Sequence, residues 1–407
     1  MQHRLVDGIE QALGWQGPGM LGQQFAVGSL PDPRVGPRLL RPQHLLDVVM
    51  RRSLAPPQVR CVRDGAEIPA REYLSEVTTR RGQVLPMIDP ARLGRVLAEG
   101  ATLVVDGLNR WDPTMEVACR ALQWWADELC QVNIYLTTQD SSGFALHWDD
   151  HDVLIVQLDG RKQWEVRGPS RVAPMFRDTD PNVEPPDDLV WSGTLQPGDV
   201  LHIPRGYWHR ASRADEGPGG HSLHATFGLQ QRTGIDLVTW LADQKARQHE
   251  QFRRDLPHSS HAQDGYTRTW RQAVTELAGH ADLTEYRRWR RQHQGAARHV
   301  VTHGLFGPAR EVVAITDFPP LIEREADSVQ VSAAGTQVGL PARAEPAVRQ
   351  LLSGQPVVVD EVSATHTIEA DKIAGVLLEA GLCAEVTDAL RSGFSGLLSA
   401  EASSNTH

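Results

Sequence analysis

The feature that most narrows what this chain can become is a run of short alternating segments between residues 101 and 230, broken by Gly and Pro turns. QVNIYLTT, VLIVQLDG, KQWEVR and DVLHIP carry β-branched and aromatic residues at the spacing of a strand. Asp159-Gly160 falls between VLIVQL and RKQWEVR, where a tight turn with positive φ is easiest for glycine, so a two-residue hairpin is expected there. Gln196-Pro197-Gly198-Asp199 is a second turn, opening VLHIP. Within this stretch EVACRALQWWADELC has apolar residues at helical spacing instead. Many short antiparallel strands with few helices predict a β-barrel or double-sheet jelly roll.

The flanks have a different texture. Residues 1–98 mix helical patterns with the Pro-rich breaks PDPRVGPRLLRP and LAPPQ and read as a mainly helical lead-in. The barrel is expected over 99–234, and a helical region over 235–304, where DLVTWLADQ, TRTWRQAVTELAG and EYRRWRRQ lie. Mixed helices and strands over 305–397 resemble a winged helix, and 398–407 is a polar, flexible tail. The class is α+β.

Lys+Arg total 41 against Asp+Glu 51, a net charge of −10, which disfavours a protein that coats nucleic acid or anionic membrane. A local RNA contact through RRWRRQHQ at 287–294 stays open, although such a run is more often a solvated helix face. Trp124 and Trp125 lie on the helical pattern, where packing is the default reading. Cys61, Cys119, Cys130 and Cys383 form no CxxC pair, so neither a disulfide framework nor a cysteine zinc site is expected. With no signal-like start and no run of about 20 apolar residues, a cytoplasmic protein without membrane contact is expected.

The chemistry concentrates in SGFALHWDDHDVLIVQLDGRKQW and QPGDVLHIPRGYWHRA. On a strand, His147 and Asp149 face one way and Trp148 the other, and His209 on a later strand can bring a second imidazole beside them. Two histidines and one carboxylate on one face of a metal leave coordination positions open, which suits Fe(II) that must also bind a cosubstrate and O2. His151 shares the face of His147 and Asp149, so spacing alone permits it as a ligand. For His202 and His224 a hydrogen-bonded structural role is expected.

NIYLT at 133–137, HWD at 147–149, QLDGRKQW at 157–164, GDVLHIPRGYWH at 198–209 and HSLHATFG at 221–228 together resemble the JmjC branch of the cupin superfamily. The resemblance is to its ribosomal-oxygenase-like members, which are 2-oxoglutarate-dependent Fe(II) hydroxylases. It implies a double-stranded β-helix core followed by a helical dimerisation region and a winged-helix-like domain, hence a homodimer. It also implies His147, Asp149 and His209 as catalytic metal ligands, with Lys162, fifteen positions beyond the first, holding the distal carboxylate of 2-oxoglutarate. A carboxylate reaching into a barrel needs such a cation, although Arg167 remains an alternative where alternation turns Arg161 away. Asn133, Tyr135, Ser222 and Thr226 are further expected cosubstrate contacts.

The resemblance points to a protein or peptide substrate, a ribosomal-protein-type His or Arg. His151 is then expected on the substrate side. A metal or metabolite sensor that binds nucleic acid through its winged helix is the competing reading; it would form no succinate.

Overall fold

The computed structural model describes residues 1–139, 143–175, 183–213, 220–295 and 299–398. The tail expected from residue 398 therefore lies, apart from Leu398, outside the described residues. Among the described residues, thirteen strands belong to the first 230 positions. They are β1 (Ala26–Ser29), β2 (Val59–Arg63), β3 (Ala66–Glu67), β4 (Leu74–Thr78), β5 (Val84–Ile88), β6 (Thr102–Val105) and β7 (Leu129–Thr138), then β8 (Asp152–Gly160), β9 (Lys162–Arg167), β10 (Leu189–Leu195), β11 (Asp199–Ile203), β12 (Trp208–Arg213) and β13 (His221–Gln230). One sheet has the order β1-β11-β8-β13-β7-β6-β2-β3, a second has β10-β9-β12, and β4 pairs with β5.

β8 explains why VLIVQL is apolar throughout. Val153 and Ile155 pack with Trp164, Val166 and Leu201 between the two sheets. Leu154, Val156 and Leu158 face the other way, into a core shared with the N-terminal helices α1 (Arg4–Leu13), α2 (Val35–Leu39) and α3 (Pro42–Arg51). A strand covered on both faces has no polar side to present. The first 98 residues, which also hold α4 (Pro90–Ala98), are thus part of the barrel and not only a lead-in: β1 pairs with β11 and β2 with β6.

The hairpin expected at Asp159-Gly160 does not form. β8 already pairs with β11 on one edge and β13 on the other, so β9 cannot join it and instead pairs with β10 and β12. Asp159-Gly160 is a corner where the chain crosses between sheets. Glycine is required there, because its φ is +61° and a Cβ would sit 1.9 Å from the His221 carbonyl oxygen. The turn at Gln196–Asp199 forms as expected, with Asp199 N–H donating to Gln196 O at 2.9 Å and the Asp199 carboxylate accepting from Gln196 N–H at 2.7 Å.

Between β6 and β7, α5 (Pro113–Ala126) begins at a proline and is capped by Asp112, whose carboxylate accepts from Met115 N–H at 2.9 Å. After the barrel come α6 (Gly234–Gln244), α7 (Glu250–Arg253), α8 (Ser260–Gly279) and α9 (Leu283–His293). In α8 Ala273 is the buried position among the described side chains.

The remainder holds β14 (Glu311–Ala314), β15 (Leu321–Arg324), β16 (Ser328–Ala333), β17 (Thr336–Pro341), α10 (Glu345–Leu351), β18 (Val357–Val358), α11 (Val359–His366), α12 (Ala370–Glu379), β19 (Cys383–Glu385) and α13 (Asp388–Phe394). Its strands form two three-stranded sheets, β18-β14-β19 and β15-β16-β17, with an apolar core of their own. The architecture is mixed α+β. Among the described residues no helix is long and apolar enough to cross a membrane.

Candidate metal centre

His147 and His209 are held by their backbones before their side chains act. A single antiparallel bridge joins them, His147 N–H to His209 O at 3.1 Å and His209 N–H to His147 O at 2.7 Å. Their Nδ1 atoms lie 2.8 Å from Ala145 O and 3.1 Å from Tyr207 O, so a proton on each Nδ1 satisfies a carbonyl and leaves the Nε2 lone pair for a metal. Asp149 is fixed through its own carbonyl, which accepts from Gly206 N–H at 2.9 Å in the turn leading to His209.

One ligand atom from each of His147, Asp149 and His209 falls within 4.8 Å of the others. The Asp149 carboxylate is 3.5 Å from His209 Nε2; two ligands each about 2.1 Å from one ion are separated by about 3 to 4 Å. Burial would raise the Asp149 carboxyl, but its hydrogen bond to His209 and the surrounding imidazoles hold it well below the usual carboxylate range. It is an ionised ligand beside two imidazole nitrogens. The donor set fits a divalent transition metal, with His147, Asp149 and His209 able to hold it.

The expected strand geometry is incomplete here. Only His147 is bridged, residues 148–150 lie outside any strand, and Trp148 is buried at 4% exposure rather than pointing outward. His151 does not join the cluster; it is 3.2 Å from Asp150 and packs over Gly228, where a Cβ would come within 2.7 Å of its ring.

A cavity of about 430 Å³ is lined by the three ligands together with Asn133, Tyr135, Thr226 and Lys162. Lys162 is 2% exposed, and its Nζ donates to Thr137 Oγ1 at 2.6 Å. Arg161 is exposed, whereas Arg167 is 2.7 Å from Glu165 and 3.1 Å from Pro186 O, which leaves Lys162 as the cation of the three that faces the cavity. Asn133 Oδ1 accepts from Gly107 N–H at 3.0 Å. Tyr135 stacks on His224 with ring centroids 4.8 Å apart, and burial pushes its phenol up. Ser222 is not on the cavity wall; its hydroxyl accepts from Gln157 Nε2 at 3.0 Å.

His202 has the structural role expected of it, 2.9 Å from Gln24 O and 3.3 Å from Asp152. His224 lines the cavity, and burial together with Lys162 keeps it neutral well below the ordinary histidine range. Sequence reading missed Asp152, a buried carboxylate that accepts from Gly22 N–H at 3.0 Å and Arg205 N–H at 3.3 Å, tying the second ligand's approach to the N-terminal segment. An acid opening an otherwise apolar strand was its available signal. Thr137, which meets Lys162, carried no signal beyond its place in NIYLT.

The tryptophans pack as expected. Trp124 Nε1 donates to Thr316 O at 2.8 Å, and Trp125 Nε1 to Glu10 at 2.7 Å. The basic run is a solvated face only in part: Arg287 and Arg288 are exposed, although Arg288 pairs with Glu323, while Arg290 is buried against Glu128 at 2.8 Å and Arg291 pairs with Asp127 at 2.8 Å.

Residues 112–237 match the JmjC domain family. Ribosomal oxygenase 1 of Rattus norvegicus is 32% identical over 204 residues, 47% of this chain and 33% of that protein. The bifunctional lysine-specific demethylase and histidyl-hydroxylase NO66 of Culex quinquefasciatus is 36% identical over 141 residues, 33% of this chain and 21% of that protein. The chain thus spans a third or less of the length of these curated relatives. The structure of Escherichia coli ycfD matches with a TM-score of 0.55 at 16% identity, covering 94% of this chain and all of that one. The E. coli YcfD ribosomal oxygenase in complex with cobalt and 2-oxoglutarate matches with a TM-score of 0.53 at 17% identity, covering 89% and 95%. At such identity these structures establish the mixed α+β fold over most of the chain.

Proposed function

We propose that this chain, a JmjC-domain protein related to the ribosomal oxygenases, is an Fe(II)- and 2-oxoglutarate-dependent hydroxylase of an amino-acid side chain in a protein. The observation that carries the reading is the convergence of His147, Asp149 and His209 within 4.8 Å on the wall of a cavity that also holds a buried lysine. Iron bound there would supply oxidation of an unactivated C–H bond coupled to decarboxylation of the cosubstrate. The protein's contribution is binding and orientation.

Lys162 lies deep in the cavity and meets the distal carboxylate of 2-oxoglutarate, a charge that would be costly there without a partner. The Thr137 hydroxyl, itself 2.9 Å from Thr102, holds the ammonium in place. Asn133 and Thr226 offer hydrogen bonds nearer the metal. Tyr135, Trp164 and His224 wall the site with rings, which keeps bulk water from the reacting atoms.

The substrate is a ribosomal-protein-type His or Arg; of the two, the relatives named ribosomal oxygenase and histidyl-hydroxylase support histidine. Residues 235–304 are the dimerisation region, supported by Ile235, Val238 and Trp270, which stand 57%, 61% and 41% exposed on its helices. Residues 305–397 are winged-helix-like, although one of their two three-stranded sheets, β15-β16-β17, precedes the helices.

The test is conversion of 2-oxoglutarate to succinate with Fe(II) and O2, joined to mass spectrometry of ribosomal proteins from cells with and without this protein. Succinate formation and one gained oxygen atom on a side chain are expected. Metal-dependent ligand binding without turnover would favour a sensor instead.

A further inference from the structure

Beyond the metal, the inward faces of β7 and β13 continue. Asn133 on β7 pairs with Thr226 on β13, and the next residues on the same face, Gln131 and Gly228, also pair. Asn133 and Thr226 line the metal cavity, while Gln131, Gly228 and Gln230 line a second cavity of about 750 Å³. Two residues of strand advance about 6.6 Å, so the two cavities follow one another along the same pair of strands. The far wall of the second is α5 and the C-terminal part of the chain, joined where Gln123 Nε2 lies 3.1 Å from Asp317. His151 lies across it, over Gly228.

We propose that this second cavity is the docking trough for the polypeptide flanking the target residue, an extended segment recognised through its backbone amides. The inference rests on the oxygenase reading only for what a target is. Gln131 and Gln230 are exposed, and among the described residues no hydrogen bond is formed by either carboxamide. A carboxamide offers a donor and an acceptor together, the complement of a peptide group, and these two stand on neighbouring strands. The lining carries charges of both signs, including Arg110 and Asp150, which favours a neutral dipolar chain over a simple ion. Its volume falls in the range of roughly 300–1,000 Å³ that encloses a sizeable ligand and adds to the space available for metal and cosubstrate. A free amino acid would leave it unfilled.

The experiment uses capped dodecapeptides tiled across E. coli ribosomal proteins, measured by fluorescence polarisation against the full chain without metal. Each binder is compared with its central residue alone, as the N-acetyl amide. Wild-type protein is expected to bind dodecapeptides at least 10-fold more tightly than the capped residue. In the double variant Gln131→Leu, Gln230→Leu that advantage should fall about 10- to 30-fold, the loss of two hydrogen bonds. Gly228→Ala, whose Cβ would stand 2.7 Å from the His151 ring in the lining and so must move it, should weaken dodecapeptides as well and guards against a misfolded double variant.

Equal binding of dodecapeptide and capped residue, no peptide binding by the wild type, or undiminished binding by a folded double variant would each overturn the trough. Length-dependent binding without succinate formation would retain the trough and sink the oxygenase.

Discussion

Replacing Lys162 with methionine should move two quantities in opposite directions. The side chain is 2% exposed, and its ammonium is 2.6 Å from the Thr137 hydroxyl. An ammonium taken out of water carries an effective penalty of several kcal/mol, and exchange of buried ions for apolar residues of similar volume is often stabilising by about 1–4 kcal/mol. Loss of the hydrogen bond, about 1.5–3 kcal/mol for a charged donor, offsets part of that gain, while Thr137 keeps Thr102 at 2.9 Å. The cosubstrate-free variant should therefore be as stable as the wild type or more so, by up to about 2 kcal/mol. Affinity for 2-oxoglutarate should fall, because leaving one member of a buried charge pair without the other costs about 2–5 kcal/mol, or roughly 30- to 1,000-fold and more in Kd. Urea unfolding reads the first quantity, and calorimetry of 2-oxoglutarate on the Co(II)-loaded protein without O2 reads the second. A Kd within about 3-fold of wild type would refute the assignment of Lys162 as the anchor.

Three further outcomes follow from the same structure. Gly160→Ala should cost more than about 3 kcal/mol of stability, since its Cβ would stand 1.9 Å from the His221 carbonyl at a φ of +61°; an unchanged denaturation midpoint would contradict the corner. His3 is fully buried, with its pKa pushed down to about 3 by burial, while the unfolded chain takes up its proton near the ordinary histidine value of 6.5. Stability should thus fall with decreasing pH across that window, by up to about 1.4 kcal/mol per pH unit from this group. His3→Asn, which can still cap Leu5 N–H, should flatten that part of the pH profile, and an unaltered slope would count against it. The full chain should be dimeric by light scattering at micromolar concentration, and Trp270→Ser should weaken the dimer; a monomeric wild type would overturn the interface.

The barrel was legible because its strands are short apolar runs, alternating in β9 and continuous in β8, and its turns carry Gly at positive φ. Connectivity was not. Asp159-Gly160 reads locally as a hairpin, and only the occupation of both edges of β8 by β11 and β13 turns it into a corner. Likewise β1 and β2 lie in Pro-interrupted sequence, and nothing local reports that their partners in the same sheet, β11 and β6, lie 170–176 and 40–46 residues further along the chain. The ligand spacing was legible, yet the reason for it differs: His147 is positioned by one bridge to His209 and Asp149 by a turn, not by a continuous strand. The role of RRWRRQHQ was hidden because the acids that pair with it, Asp127, Glu128 and Glu323, are remote in sequence.

Titration with Co(II), followed by visible absorption and calorimetry, shows whether His147, Asp149 and His209 together hold one metal. Wild-type protein should take up one Co(II) per chain and change its spectrum when 2-oxoglutarate is added, whereas His209→Ala, still folded by circular dichroism, should lose both responses. A His209→Ala protein that bound Co(II) and 2-oxoglutarate as the wild type does would contradict the account.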